Sequence, residues 1–101
     1  QTRDFTYIEN VVQANIKAAV TSGIKCEVFN IACGKAYSVL DIIKYVNKIL
    51  KKDIKPEFTP KRPGDVKHTL ADITRAKDLL GFEPKMGFEE GLEKTVEYFS
   101  V

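Results

Sequence analysis

Histidine occurs once and cysteine twice in these 101 residues, and those two scarcities exclude much chemistry. A lone His68 cannot supply a His-pair metal site. It stands beside Lys67 with no base or nucleophile next to it in sequence, which reads as a surface or supporting residue. Cys26 and Cys33 are separated by six residues with no histidine near them, a spacing that fits neither a zinc site nor a disulfide scaffold. They read as small buried hydrophobes of a reduced, cytoplasmic protein. No apolar run reaches membrane-spanning length, and no basic-plus-apolar leader opens the chain. Also missing are a Gly-x-Ser-x-Gly elbow, a phosphate-loop signature, and a glycine-rich dinucleotide turn after a strand.

Charge of one sign is scarce as well. The formal net charge is +2, and no Lys/Arg run exceeds two residues, as at Lys51-Lys52. A nucleic-acid partner is therefore not expected. What is present is an ordinary globular composition, 44% hydrophobic and 30% charged. That supports a folded core in a single domain, residues 1–101, with no repeats and no internal linker. A domain this small has a thin stability margin, so docking against another domain or chain is expected. The chain opens Gln1-Thr2-Arg3 without an initiator methionine and reads as a fragment or processed form.

Hydrophobic periodicity outlines the elements. Thr6 and Glu9 have the form of a capping box. Ile8, Val11, Val12, Ile16, Ala19 and Val20 recur at helical spacing up to the stop at Gly23, predicting a helix over about 7–22. Glu27 to Ala32 is short and rich in β-formers, predicting a strand, with a turn at Gly34. Ser38 is placed to cap a second helix striped by Val39, Ile42, Ile43, Val46, Ile49 and Leu50. Lys51, Lys52 and Lys55 read as its solvated end. Pro56 to Pro60 is extended, and Thr69 to Ala71 reads as a short extended segment. Asp72 is placed to cap a short helix ending at Gly81. A last helix carries Phe88, Leu92, Val96 and Phe99 on one face. The pattern is a small α/β piece, mostly helical with a few short strands.

The chemistry concentrates in Arg62-Pro63-Gly64-Asp65-Val66. A guanidinium can clamp a phosphate through two parallel hydrogen bonds, and a carboxylate nearby can accept from sugar hydroxyls. A ligand with phosphate at one end and hydroxyls at the other fits both. Only three of the 16 basic residues are arginines. Arg3 and Arg62 both join elements and both neighbour an aspartate, Asp4 or Asp65. Two such forks could converge on one pyrophosphate, although an exposed Arg3–Asp4 pair would by itself be worth little.

Four stretches carry more than their spacing: Arg3 to Asn15, Phe29 to Ala32, Arg62 to Asp72, and Lys77 to Pro84. In order, they closely resemble the C-terminal substrate-binding part of the extended short-chain dehydrogenase/reductases that act on nucleotide sugars, nearest to the UDP-sugar 4-epimerases. The resemblance covers essentially the whole chain. It implies that Arg3 and Arg62 approach the UDP diphosphate and that Asp65 holds the ribose hydroxyls. Thr69 falls where the family alternates between tyrosine and a small residue beside the hexose. A small residue there resembles members that admit an N-acetyl group, favouring UDP-N-acetylglucosamine and UDP-N-acetylgalactosamine. Asn10 replaces a common aspartate and reads as structural.

The same resemblance implies an N-terminal Rossmann domain holding NAD, a Tyr-x-x-x-Lys pair, and a homodimeric parent; the domain and the pair are not among these residues. Tyr45 to Lys48 has the wrong spacing for the pair. The expected role is thus a substrate-binding lobe whose catalytic residues lie outside this chain, inactive alone and binding no cofactor itself. The alternatives are a lobe of a UDP-glucose 4-epimerase or a dehydratase, or a free-standing non-catalytic nucleotide-binding module.

Overall fold

The computed structural model describes residues 1–100. Strand β1 (Thr2–Arg3) pairs antiparallel with β2 (Tyr37–Ser38), Thr2 opposite Ser38 and Arg3 opposite Tyr37. Around this small ribbon lie α1 (Ile8–Val20), α2 (Val39–Leu50), α3 (Thr74–Leu80) and α4 (Phe88–Phe99). The mostly helical reading with short strands is thus correct, and each of the four helices falls within about two residues of its predicted place.

The ends of α2 and α3 follow local chemistry. At the start of α2 the Asp41 amide donates to Ser38 Oγ at 3.0 Å, and the Ser38 amide donates to Asp41 Oδ2 at 2.9 Å. This reciprocal pair satisfies two of the amides that a helix start leaves without partners. Asp72 does not cap α3 as expected, because the N-cap is Ile73, without a side-chain cap bond; instead Asp72, just outside the helix, accepts through Oδ1 from the amide and hydroxyl of Thr74, at 3.0 and 2.6 Å. Gly81 ends α3 with φ 64°, a left-handed conformation that glycine adopts without steric cost.

Three further expectations are corrected. Thr6 does not cap α1: the N-cap is Tyr7, without a side-chain cap bond, and the Thr6 hydroxyl donates to the Asp4 carbonyl. Residues Glu27 to Ala32 form no strand, because no backbone group of that stretch pairs with another backbone group among the described residues. Its alternation survives nonetheless, with Phe29 and Ile31 packed inward against the core while Val28 is 80% exposed. The third correction concerns cysteine. Cys26 is exposed and Cys33 only half-buried. Burial, and then the Asp4 carboxylate, push the Cys33 thiol above its ordinary value.

Packing falls into two halves. In one, Ala14 of α1 meets Ala32, Ile73, Ala76, Leu80 and Phe82 in a small core, with Phe82 at 1% exposure its largest fully buried side chain. Asn10, buried beside it, clips the connector before α4: its amide donates to the Met86 carbonyl at 2.9 Å and its oxygen accepts from the Met86 amide at 3.1 Å. Asn10 is therefore structural, as its place on the helix face predicted. In the other half α2 packs on α4. There the Phe88 ring stacks on Tyr37, centroids 4.0 Å apart, and meets Tyr45 edge-on at 5.5 Å. Gly91 lets α4 approach the start of α1 closely, since a Cβ there would sit 2.9 Å from Cβ of Tyr7, the α1 N-cap.

Candidate functional site

The ribbon and one further bridge build the site. Thr2 forms an isolated parallel bridge with His68: its amide donates to the Lys67 carbonyl at 2.9 Å, and the Thr69 amide donates to the Thr2 carbonyl at 3.1 Å. The Thr2 hydroxyl and His68 Nδ1 share a hydrogen bond of 2.7 Å. His68 is thus a prop for the loop. The chain start, the entrance to α2 and the Arg62 loop are thereby tied into one unit.

The loop itself is a tight turn. The Asp65 amide donates to the Arg62 carbonyl at 3.2 Å, closing Arg62-Pro63-Gly64-Asp65 with Gly64 at φ 83°. Proline followed by a positive-φ glycine is the chemistry of a type II turn. A Cβ at Gly64 would meet nothing within 4 Å, so the backbone angle is what calls for glycine there. The turn holds the bases of Arg62 and Asp65 close together while both side chains remain exposed.

Arg62 and Asp65 open onto a groove of about 660 Å³, walled by Leu40 and Ile43 of α2 and by the extended segment carrying Phe58. Phe58 is 78% exposed, so the groove offers an aromatic ring, an aliphatic wall, a guanidinium and a carboxylate together. Such a mixture of apolar lining and a few convergent polar groups is what small-molecule sites present. Gln1 Nε2 reaches Asp65 Oδ2 at 3.5 Å, and Lys61 and Lys67 add two further cations to the lining.

The other expected residues sit differently. Arg3 is half-buried behind the loop, where Nη1 donates to the carbonyls of Thr2 (2.7 Å) and Lys67 (3.3 Å) and Nη2 to that of Val66 (2.6 Å). It holds the loop from behind and retains Nε–H and one Nη2–H, since guanidinium has five donors. Thr69 is exposed just beyond the bridge, and neither it nor Arg3 is among the groove residues. Asp4 pairs with backbone, accepting from the amides of Cys33 at 2.9 Å and Gly34 at 2.7 Å. Phe58, Leu40 and Gln1 were not foreseen as site residues; an exposed aromatic between two prolines was the available signal for Phe58.

Among the described residues, the one strand that runs straight into a helix is β2 into α2, and the N-terminus of α2 is occupied by its own Ser38–Asp41 box. The Asp41 carboxylate there would repel a phosphate. Among the described residues no cluster of metal-ligating side chains occurs, and no helix is long and apolar enough to cross a membrane.

The fold defines a class: a mostly helical C-terminal part of the extended short-chain dehydrogenase/reductases. Residues 1–95 match the model of the GDP-mannose 4,6 dehydratase family, and the chain belongs to that family. Three solved structures are similar throughout. The UDP-glucose 4-epimerase of Thermotoga maritima, solved with UDP-glucose, is 43% identical with a TM-score of 0.89, over 97% of this chain and 31% of its own. The UDP-glucuronic acid 4-epimerase of Bacillus cereus, solved with UDP-glucuronic acid and NAD, is 39% identical at 0.90, over 97% and 32%. The UDP-N-acetylglucosamine 4-epimerase of Methanobrevibacter ruminantium, solved with UDP-N-acetylmuramic acid, is 37% identical at 0.88, over 98% and 31%. The chain thus spans just under a third of the length of each.

Proposed function

We propose that this chain is the UDP-sugar-binding lobe of an NAD-dependent nucleotide-sugar 4-epimerase, with the reacting groups and the NAD site in polypeptide outside these residues. The single observation that carries this is the tight Arg62–Asp65 turn, which presents a phosphate clamp and a hydroxyl acceptor together at the mouth of a half-apolar groove. In this reading Arg62 binds the diphosphate and Asp65 the ribose hydroxyls. Arg3 braces the loop and turns its remaining donors to the same diphosphate, and Thr69 lies beside the hexose. A UDP-sugar suits the site because pyrophosphate needs cationic forks, ribose needs acceptors, and a nucleobase needs an apolar wall.

The finer assignment is to N-acetylated sugars, UDP-N-acetylglucosamine and its C4 epimer. Threonine at position 69 supports it, since a small side chain beside the hexose leaves room for an acetamido group. Identity does not choose among sugars: epimerases named for glucose, glucuronic acid and N-acetylglucosamine lie between 37% and 43%.

The test is calorimetric titration of the full-length polypeptide with UDP, UDP-N-acetylglucosamine and UDP-glucose, before and after Arg62→Ala. The substitution is expected to weaken all three by about 1.5–3 kcal/mol, the range for hydrogen bonds to charged groups. Unchanged affinities would remove Arg62 from the site. Tighter binding of UDP-glucose than of the N-acetylated sugar by the unaltered protein would overturn the role given to Thr69.

A further inference from the structure

Amides and carbonyls recur at every residue, so backbone pairing alone does not tell one strand register from the next. The bridge that ties the chain start to the Arg62 loop rests on two such bonds, from the Thr2 amide to the Lys67 carbonyl and from the Thr69 amide to the Thr2 carbonyl. The Arg3 guanidinium adds three more, all of them to carbonyls. Among the described residues two side-chain pairs join the chain start to this loop. The one from Gln1 to Asp65 is long, at 3.5 Å. The other is short: Thr2 Oγ1 and His68 Nδ1 lie 2.7 Å apart.

That short bond carries register information. Thr2 and His68 stand opposite one another in the parallel bridge, so their side chains share a face. Strand alternation turns Arg3, Lys67 and Thr69 to the other face, where Lys67 lines the groove. A slip of one residue would place Lys67 or Thr69 opposite Thr2 and turn the side chains of this segment over. An imidazole nitrogen meets the Thr2 hydroxyl in one register alone, because the chain has a single histidine. A hydroxyl both donates and accepts, so the bond forms with either ring tautomer.

We propose that His68 is a positioning residue for nucleotide-sugar binding: through Thr2 it fixes the register that sets Arg3 opposite Thr69, and so keeps the brace of the diphosphate in step with the neighbour of the hexose. The premise is the reading of Arg3 and Thr69 as ligand-side residues. His68 itself touches no ligand. The Arg62–Asp65 turn is closed by its own hydrogen bond and does not depend on it. Loss of His68 should therefore cost a UDP-sugar more than UDP, which keeps Arg62 and Asp65 and has no hexose to place beside Thr69.

Two measurements on the full-length polypeptide test it: hydrogen exchange of the Thr69 amide without ligand, and calorimetric titration with UDP and UDP-N-acetylglucosamine. His68→Leu is expected to speed Thr69 exchange about fivefold, the worth of one net hydrogen bond. It should weaken the UDP-sugar about fivefold more than UDP. His68→Asn, which returns a polar group to the place of Nδ1, should restore both. Thr2→Val should match His68→Leu, and the double substitution should do no more than either alone. Equal weakening of the two ligands, or additive effects of the two substitutions, would overturn the proposal. So would weaker binding with Thr69 exchange unchanged, since His68 would then act on the ligand directly. An unaltered polypeptide that binds neither ligand would sink the reading of the site before any substitution is made, and this inference with it.

Discussion

Helices α1 and α2 carry similar apolar stripes and meet opposite fates. On α2, Ile42, Ile43, Val46 and Ile49 are half-buried in the half that packs on α4. On α1 the stripe of Ile8, Val12, Ile16 and Val20 faces solvent, and the opposite face, with Asn10 and Ala14, is buried. Periodicity reports that a helix has an apolar side, but which side is covered within a given stretch depends on where the partners are. Helix α2 finds its partner about forty residues on in this chain. Helix α1 uses a narrow face of alanine and asparagine inward and leaves its wide face exposed.

That contrast predicts where the lobe is most fragile. Because α1 contributes only small side chains inward, Phe82 fills the space between it and α3 and cannot be replaced by its neighbours. Phe82→Ala is expected to cost about 3–5 kcal/mol, the range for losing a buried aromatic and leaving a cavity. Denaturant unfolding of the full-length polypeptide measures it. A loss below about 1 kcal/mol would mean that the α1 half collapses onto the cavity.

Where α4 meets the start of α1 the contact is close instead of thin. Gly91→Ala brings two opposing effects: alanine improves helix propensity by up to about 1 kcal/mol, while overpacking costs about 1–3 kcal/mol. The Cβ would stand 2.9 Å from Tyr7 Cβ and 3.2 Å from Cγ, and a Cβ cannot swing aside without its backbone. Overpacking should win, giving a net loss of about 1–2 kcal/mol. Gly87→Ala is the control, because nothing lies within 4 Å of the Cβ it would add. Equal stabilities for the two variants would show that α4 sits farther from Tyr7 than described.

The elements most legible in the sequence were those whose cause is local. The Ser38–Asp41 cap, the stop at Gly81 and the Arg62–Asp65 turn each depend on side chains within a few residues. The Thr6–Glu9 box failed because Thr6 turns its hydroxyl to Asp4 and the helix begins one residue later. The strand at 27–32 has the right alternation, but a strand exists only with a partner, and these residues contain none. In the site, the groove-facing pair was readable from its turn chemistry. The carbonyl contacts of Arg3 with Val66 and Lys67 were not, since they join residues more than sixty apart. The Asn10–Met86 clip was hidden for the same reason.

The smallest predicted effect separates the two helices at their starts. Helix α1 has no side-chain cap bond, whereas α2 has a charged one. Hydrogen bonds from the Ser38 amide and hydroxyl hold the Asp41 carboxyl below its ordinary 3.8, and bonds from Thr74 do the same for Asp72 at α3. A depressed carboxylate contributes stability that is present above its unfolded value and is lost as pH falls through the lower folded value. The starts of α2 and α3 should therefore loosen only below about pH 4, and α1 should show no matching step. The Ser38 amide shift, followed by NMR in the full-length polypeptide, should titrate with a midpoint below 3.8, and Asp41→Asn should abolish that titration. A midpoint at or above 3.8 would mean that the Ser38–Asp41 box is not formed in solution. The two helices would then differ only in what covers them.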